Sequence, residues 1–434
     1  ACGPSARRAQ GRRALGCCRL PEGAASRPLP MVLGCLMSVC CGGEPERKRR
    51  LSWHDLVTKD EDDDTAYGSD GSTRSSSSAA LSPSSGGLWS PPGGFGPRVF
   101  DTALSREAME GLLDEVAGSV KPWRDGSFAY VKKLQDAEGN FGHVDMMRSE
   151  DTGAMVAVKR MPNHWVCSGP RAFYVRNPEA AEQPWLDLAL LKHLNKVNCP
   201  YVCQLAGIFR DDDYSYVVTS LATDGDLFAW CSDKHSPGAE RERILQPVVA
   251  EAFSAVRCLH GHGIAHRDLS LENILLTAPS DGRRRVRIID FGMATVARWC
   301  VGEVRGKVPY RAPEMHEEST PYCPFKVDAF ALGVTLFSMA TSDYPWQSTK
   351  RGKCKLFEYI RKYGVREFLE RRKCRKTDGL TLVQAMSPEL LELVQGLLEL
   401  DPTSRLGLGG PALGAATCDG AAKTVWQAAW FAGV

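Results

Sequence analysis

From Asp60 to Gly96 Ser, Gly, Pro and Asp dominate the chain, and Ser75 to Ser78 stand in a row. Such a stretch buries too little apolar surface to offset the entropy of ordering it. It reads as a flexible linker, and residues 1–100 together as a disordered extension. Over residues 103–118 apolar positions recur at helical spacing, which predicts one amphipathic helix within 101–125. The pattern then changes period. Residues 131–147 read as strand, turn, strand, and the next strand ends in Val156-Ala157-Val158-Lys159. Residues 184–194 read as a helix, 214–228 as a strand and a hinge, and 286–289 as an apolar β-run that delivers Asp290 to a cleft. The apolar run over 326–337 predicts a buried helix, and 424–431 a final one.

The length of 434 residues allows two or three domains, and an apolar fraction of 43% is ordinary for a globular protein. A net charge of +2 gives no reason to expect nucleic acid as a partner. The longest apolar stretches, Ala329 to Ala340 and Met31 to Cys41, are too short and mixed to span a bilayer. Sixteen cysteines without a CxxC pair read as reduced thiols in a cytoplasmic protein. Basic clusters occupy the first fifty residues, followed by the acidic run Asp60 to Asp64. Met31 and Met37 are both plausible starts, and either sets Cys40-Cys41 near the N-terminus beside Arg47 to Arg50. Adjacent cysteines next to basic residues suit palmitoylation and a peripheral membrane contact; the alternative is a solvated tail. Arg49-Arg50-Leu51-Ser52 is a string of the kind that basic-directed kinases phosphorylate.

Three short strings carry the chemistry: HRDLSLEN from His266, DFG from Asp290 and APE from Ala312. Asp268 and Asp290 stand 22 residues apart with Asn273 between them. In these strings the chain resembles the eukaryotic protein kinase family, over about residues 130–431. The resemblance implies an α+β, bilobal fold with a β-rich N-lobe over 126–220 and a helical C-lobe over 221–434. It also implies ATP and Mg2+ as cofactors, protein substrates and a monomer. Ala137, Gly139, Phe141, Gly142 and Val144 match the Gly-rich loop, with Ala137 in place of its first glycine. Lys159 is the expected phosphate-binding lysine, held by Asp187 or alternatively by Glu182. Val144, Ala157 and Leu275 would sandwich the adenine, with Thr219 as gatekeeper and Ser220 and Leu221 in the hinge. Asp268 is the expected catalytic base, and Asn273 and Asp290 the magnesium ligands. His266, Phe291, Leu191 and Leu205 would form an internal apolar stack anchored by Asp328. Glu314 and Arg405 would form a buried structural ion pair. Tyr310 in Y-x-APE favours Ser/Thr specificity.

The pattern departs from the family where the family is most regular. Ser270 stands where Ser/Thr kinases carry a lysine, and Lys307 where they carry a threonine. The two departures read as one exchange, in which the Lys307 ammonium reaches Asp268 and the γ-phosphate from the activation segment. Arg267 usually clamps a phosphorylated loop, yet only Thr295 and Tyr310 are phosphorylatable between the strings. Glu303 is the fixed anion expected in their place, so activity without loop phosphorylation is expected. Glu272 and Asp226 match acids that bind basic residues ahead of a target hydroxyl. No long C-terminal tail of the AGC group is expected after residue 431. The competing readings are a pseudokinase scaffold, motivated by Ala137, Asp187 and Ser270, and a small-molecule kinase, disfavoured by APE and Asp328.

Overall fold

The computed structural model describes residues 104, 106–137, 141–232, 236–278, 284–374, 377, 379–409 and 423–432. The 1–100 extension, Cys40, Cys41, the Arg-Arg-x-Ser string and Gly139 lie outside the described residues. The architecture is α+β and bilobal, with a sheet-rich first half and a helical second half.

The first helix, α1 (Arg106–Gly118), has Met109, Leu113 and Val116 buried at i, i+4 and i+7. Burial of each stabilises by roughly 1.5–3 kcal/mol. The helix ends one residue before Ser119, whose hydroxyl donates to the Val116 carbonyl at 2.8 Å. The expected 101–125 helical segment is therefore shorter. Pro122 cannot supply a helical N–H, and Lys121–Pro122 form β1 instead.

Strands β2 (Phe128–Ala137), β3 (Gly142–Ser149), β4 (Met155–Pro162), β5 (Leu205–Arg210) and β6 (Tyr214–Ser220) join β1 in a six-stranded sheet. The order is β1-β5-β6-β4-β3-β2. Period-two alternation sorts β4: Val156 and Val158 pack with Tyr216 and Val218 on one face, so Ala157 and Lys159 project from the other. The register sets Val144 beside Lys159 and Ala157 beside Thr219.

Between β4 and β5 lie α2 (Asn163–Val166), α3 (Pro170–Arg176) and α4 (Pro184–Lys196). Proline opens α4, where its missing N–H is harmless. Trp185, Leu188 and Ala189 of α4 share an apolar cluster with Met161 and Val217 of the sheet and with Leu113 and Val116 of α1. Leu190 and Leu194 join the main core together with Met109.

The second half is built on α5 (Leu227–Ser232), α6 (Ala239–Gly261), α7 (Pro324–Thr341), α8 (Lys355–Arg371), α9 (Leu382–Ala385) and α10 (Pro388–Leu397). Every residue of α7 is buried, which is why its sequence is apolar on all sides. The hairpin β7 (Ile274–Thr277) and β8 (Arg285–Ile288) carries Leu275 and leads into Asp290. The expected final helix over 424–431 is instead two 3-10 turns, Val425–Gln427 and Ala429–Phe431, broken by extended Ala428. Eight of the described cysteines are free thiols. Cys323 is disulfide-bonded, which corrects the expectation of reduced thiols throughout. No helix among the described residues is long and apolar enough to cross a membrane.

Candidate active site

Lys159 projects from β4 toward α4, and its ammonium lies 3.2 Å from Asp187 Oδ2. The other oxygen of Asp187 accepts the backbone N–H of Phe291 at 2.9 Å. One carboxylate therefore ties the lysine to the DFG segment. Burial disfavours the ammonium, but Asp187, Asp290 and Glu182 outweigh it and hold the lysine pKa above its ordinary value. Asp187 is thus the direct partner and Glu182 a further nearby charge. The link to Phe291 was absent from the sequence reading, since no local pattern signals a side chain bonded to a backbone group 104 positions on.

Asp268 is buried, and two groups hold its carboxylate. Its Oδ1 accepts the backbone N–H of Lys307 at 3.0 Å, and its Oδ2 accepts the Asn273 amide at 3.1 Å. Asn273 Nδ2 also donates to the Asp268 carbonyl at 2.8 Å. That pair of bonds fixes the amide so that its oxygen is not spent on Asp268. Burial and the charge of Asp290 push the Asp268 carboxyl up, while Lys307 and His266 pull it down. Arg267 and Asp290 both have positive φ, 63° and 68°. Non-glycine residues rarely adopt that backbone, and such strain collects at functional sites. Gly306, at φ 82°, is required by close approach: a Cβ there would lie 2.6 Å from the Arg267 carbonyl and 3.2 Å from Asp268 Oδ1.

The support beneath is a buried carboxylate. Asp328 accepts the backbone N–H groups of His266 at 2.7 Å and Arg267 at 2.8 Å, and meets His260 Nε2 at 2.9 Å. The His266 and Phe291 rings lie 5.3 Å apart, and Leu191 packs against the same core. Arg267 Nη1 meets Glu303 Oε2 at 2.8 Å, and its remaining donors reach the carbonyls of Met293 and Ala294. Glu314 and Arg405 pair through two bonds of 2.6 and 3.0 Å, with the guanidinium fully buried.

The model of the protein kinase domain matches residues 131–431. The chain belongs to the protein kinase family. It is 28% identical over 341 residues to the serine/threonine-protein kinase AtPK1/AtPK6 of Arabidopsis thaliana, covering 77% of this chain and 61% of that protein. It is 29% identical over 236 residues to the serine/threonine-protein kinase SIK1 of Rattus norvegicus, covering 53% and 27%. It is 28% identical over 263 residues to the serine/threonine-protein kinase SBK1 of Danio rerio, covering 59% and 63%. The chain thus spans less than two thirds of the length of each.

Two of its site residues sit otherwise than the sequence suggested. The Lys307 ammonium contacts Ser270 Oγ at 2.8 Å and Glu272 Oε2 at 3.0 Å. Its backbone N–H, rather than its charge, makes the contact with Asp268. Glu272, expected to face a basic substrate residue, is already paired. Burial opposes its ionisation, yet Lys307 holds its pKa below the ordinary value. Asp226 accepts the Ala229 N–H at 2.7 Å, capping α5, and burial raises its carboxyl. On the nucleotide side Ala137 ends β2 opposite Gly142. Phe141 is exposed at φ 58°, with its ring 5.6 Å from Trp165. Leu275 bridges to Asp226, and Leu221 follows β6.

Proposed function

We propose that this chain is an active serine/threonine protein kinase, transferring the γ-phosphate of ATP to protein hydroxyls. The observation that carries this is the joining of both halves of the site: Asp187 holds Lys159 and the Phe291 N–H together, while Asn273 and Lys307 fix Asp268. Lys159 orients the phosphates. Asp268 accepts the proton of the substrate hydroxyl. Asn273 and Asp290 would hold magnesium. The free oxygen of the Asn273 amide and a second carboxylate close enough to raise Asp268 suit a hard cation that takes oxygen ligands. When bound, that ion neutralises phosphate charge. Val144, Ala157, Thr219, Leu221 and Leu275 supply the adenine slot, with Ala137, Phe141 and Gly142 over the phosphates.

Lys307 aids the base at one remove, since its charge favours ionised Asp268. A preference for basic residues ahead of the target hydroxyl rests on Asp226 and Glu272. Because Lys307 pairs with Glu272, that preference is weaker than two free acids would give. The Arg267–Glu303 pair stands where a phosphorylated residue would otherwise be clamped, so the kinase works without loop phosphorylation. The test is transfer from ATP with magnesium to Ser and Thr peptides. Wild type transfers phosphate, and Asp268→Asn binds nucleotide but loses roughly 10²–10⁴ in rate. Equal background from both proteins would instead mark a nucleotide-binding scaffold.

A further inference from the structure

We propose that α1 is a positioning element for catalysis, holding α4 inward so that Asp187 reaches Lys159. The inference rests on the kinase reading above and adds to it a residue set outside the matched domain, which begins at residue 131.

Four observations carry it. First, the apolar stripe of α1 is spent along α4. Leu113 and Val116 cluster with Trp185, Leu188 and Ala189, and Met109 clusters with Leu190 and Leu194. Leu112 is partly buried against both clusters, so α1 spans them. Second, polar contacts fix the pair of helices. Glu115 lies 3.3 Å from the Lys192 ammonium and 3.7 Å from that of Lys196. Lys192 also donates to the Glu115 carbonyl at 3.2 Å, near the α1 C-terminus, where carbonyls lack helical partners.

Third, the contacts of α4 divide along its length: α1 holds its later turns through Lys192 and Lys196, while Trp185 Nε1, donating to the Val166 carbonyl at 2.7 Å, holds its N-terminal turn. No side chain caps it, and Asp187 lies in that first turn. Fourth, the reach of Asp187 is short. An aspartate has one methylene fewer than a glutamate, and its ammonium contact is already 3.2 Å. An outward shift of α4 by about an ångström would take the pair beyond hydrogen-bond distance. The short carboxylate and the docked helix therefore belong together: the first works only where something holds the second helix in.

Val116, fully buried on α1, is the positioning residue to change. The experiment is a double-mutant cycle in the full chain, pairing Val116→Asp with Asp187→Ala and reading kcat/KM for ATP together with the Kd for Mg-ATP. In the wild-type background Val116→Asp lowers kcat/KM at least tenfold. In the Asp187→Ala background the same change lowers it less than twofold, because the contact it acts through is gone. Val116→Ala, which leaves a smaller defect, lowers kcat/KM about threefold with the same dependence on Asp187. It decides the matter if Val116→Asp fails to fold. Equal losses in both backgrounds would show that α1 only stabilises the fold, and no loss in either would also overturn the proposal. If wild type transfers no phosphate, the kinase reading falls, and the Mg-ATP affinities in the cycle still decide the role of α1.

Discussion

At the scale of single residues, Asp268 sits between opposing influences. Burial and Asp290 raise its carboxyl, while Lys307 and His266 lower it. A base must be ionised to accept a proton, so activity falls as pH drops through that raised pKa. Lys307→Met removes a lowering influence and moves the acid limb of kcat to higher pH. The rate at neutral pH falls about tenfold, less than for a buried donor, because water screens the half-exposed ammonium. A pH profile of kcat checks this; a limb that stays in place means that Lys307 does not act on the base. Gly306 makes a second case. In Gly306→Ala the added carbon meets the Arg267 carbonyl and the loop must move away from Asp268. A displacement of about 1 Å costs roughly 10²-fold in kcat, with KM for ATP little changed, as steady-state kinetics would show.

At the scale of elements, the activation segment is pinned by Arg267 and Glu303. Glu303→Gln leaves a buried guanidinium without its anion, at a cost of roughly 3–5 kcal/mol. It therefore lowers kcat, whereas Thr295→Ala leaves activity unchanged. Comparing the two variants by initial rate tests whether a fixed carboxylate serves where phosphate usually does. The strands were legible from their alternation, the buried helix α7 from an apolar run too long for a typical strand, and the HRD, DFG and APE strings because the chemistry fixes their spacing. The contact of Lys307 with Asp268 was half legible. Proximity followed from the paired departures at 270 and 307, but whether the ammonium or the backbone N–H met Asp268 depended on Glu272, a competing acceptor. The run 424–431 was misread because Thr424 and Gln427 bond to each other's backbone, closing a single turn. The docking of α1 on α4 was not legible, since an amphipathic face does not name its partner.

At the scale of the whole molecule, Glu314 and Arg405 join the activation segment to the helical lobe across 91 residues. Glu314→Gln or Arg405→Met leaves one buried partner uncompensated and destabilises by about 3–5 kcal/mol, which denaturant unfolding would register. Asp187, Asp328 and Glu303 each bind groups from more than one segment, so the catalytic geometry is held by carboxylates already in the chain. The decisive measurement is phosphate transfer by the full chain made in a bacterial host, with mass spectrometry showing Thr295 and Tyr310 unmodified. The account predicts magnesium-dependent transfer to a Ser or Thr peptide at once, abolished in Asp268→Asn. Transfer that begins only after an upstream kinase modifies residues 295–310, or that survives in Asp268→Asn, would contradict it.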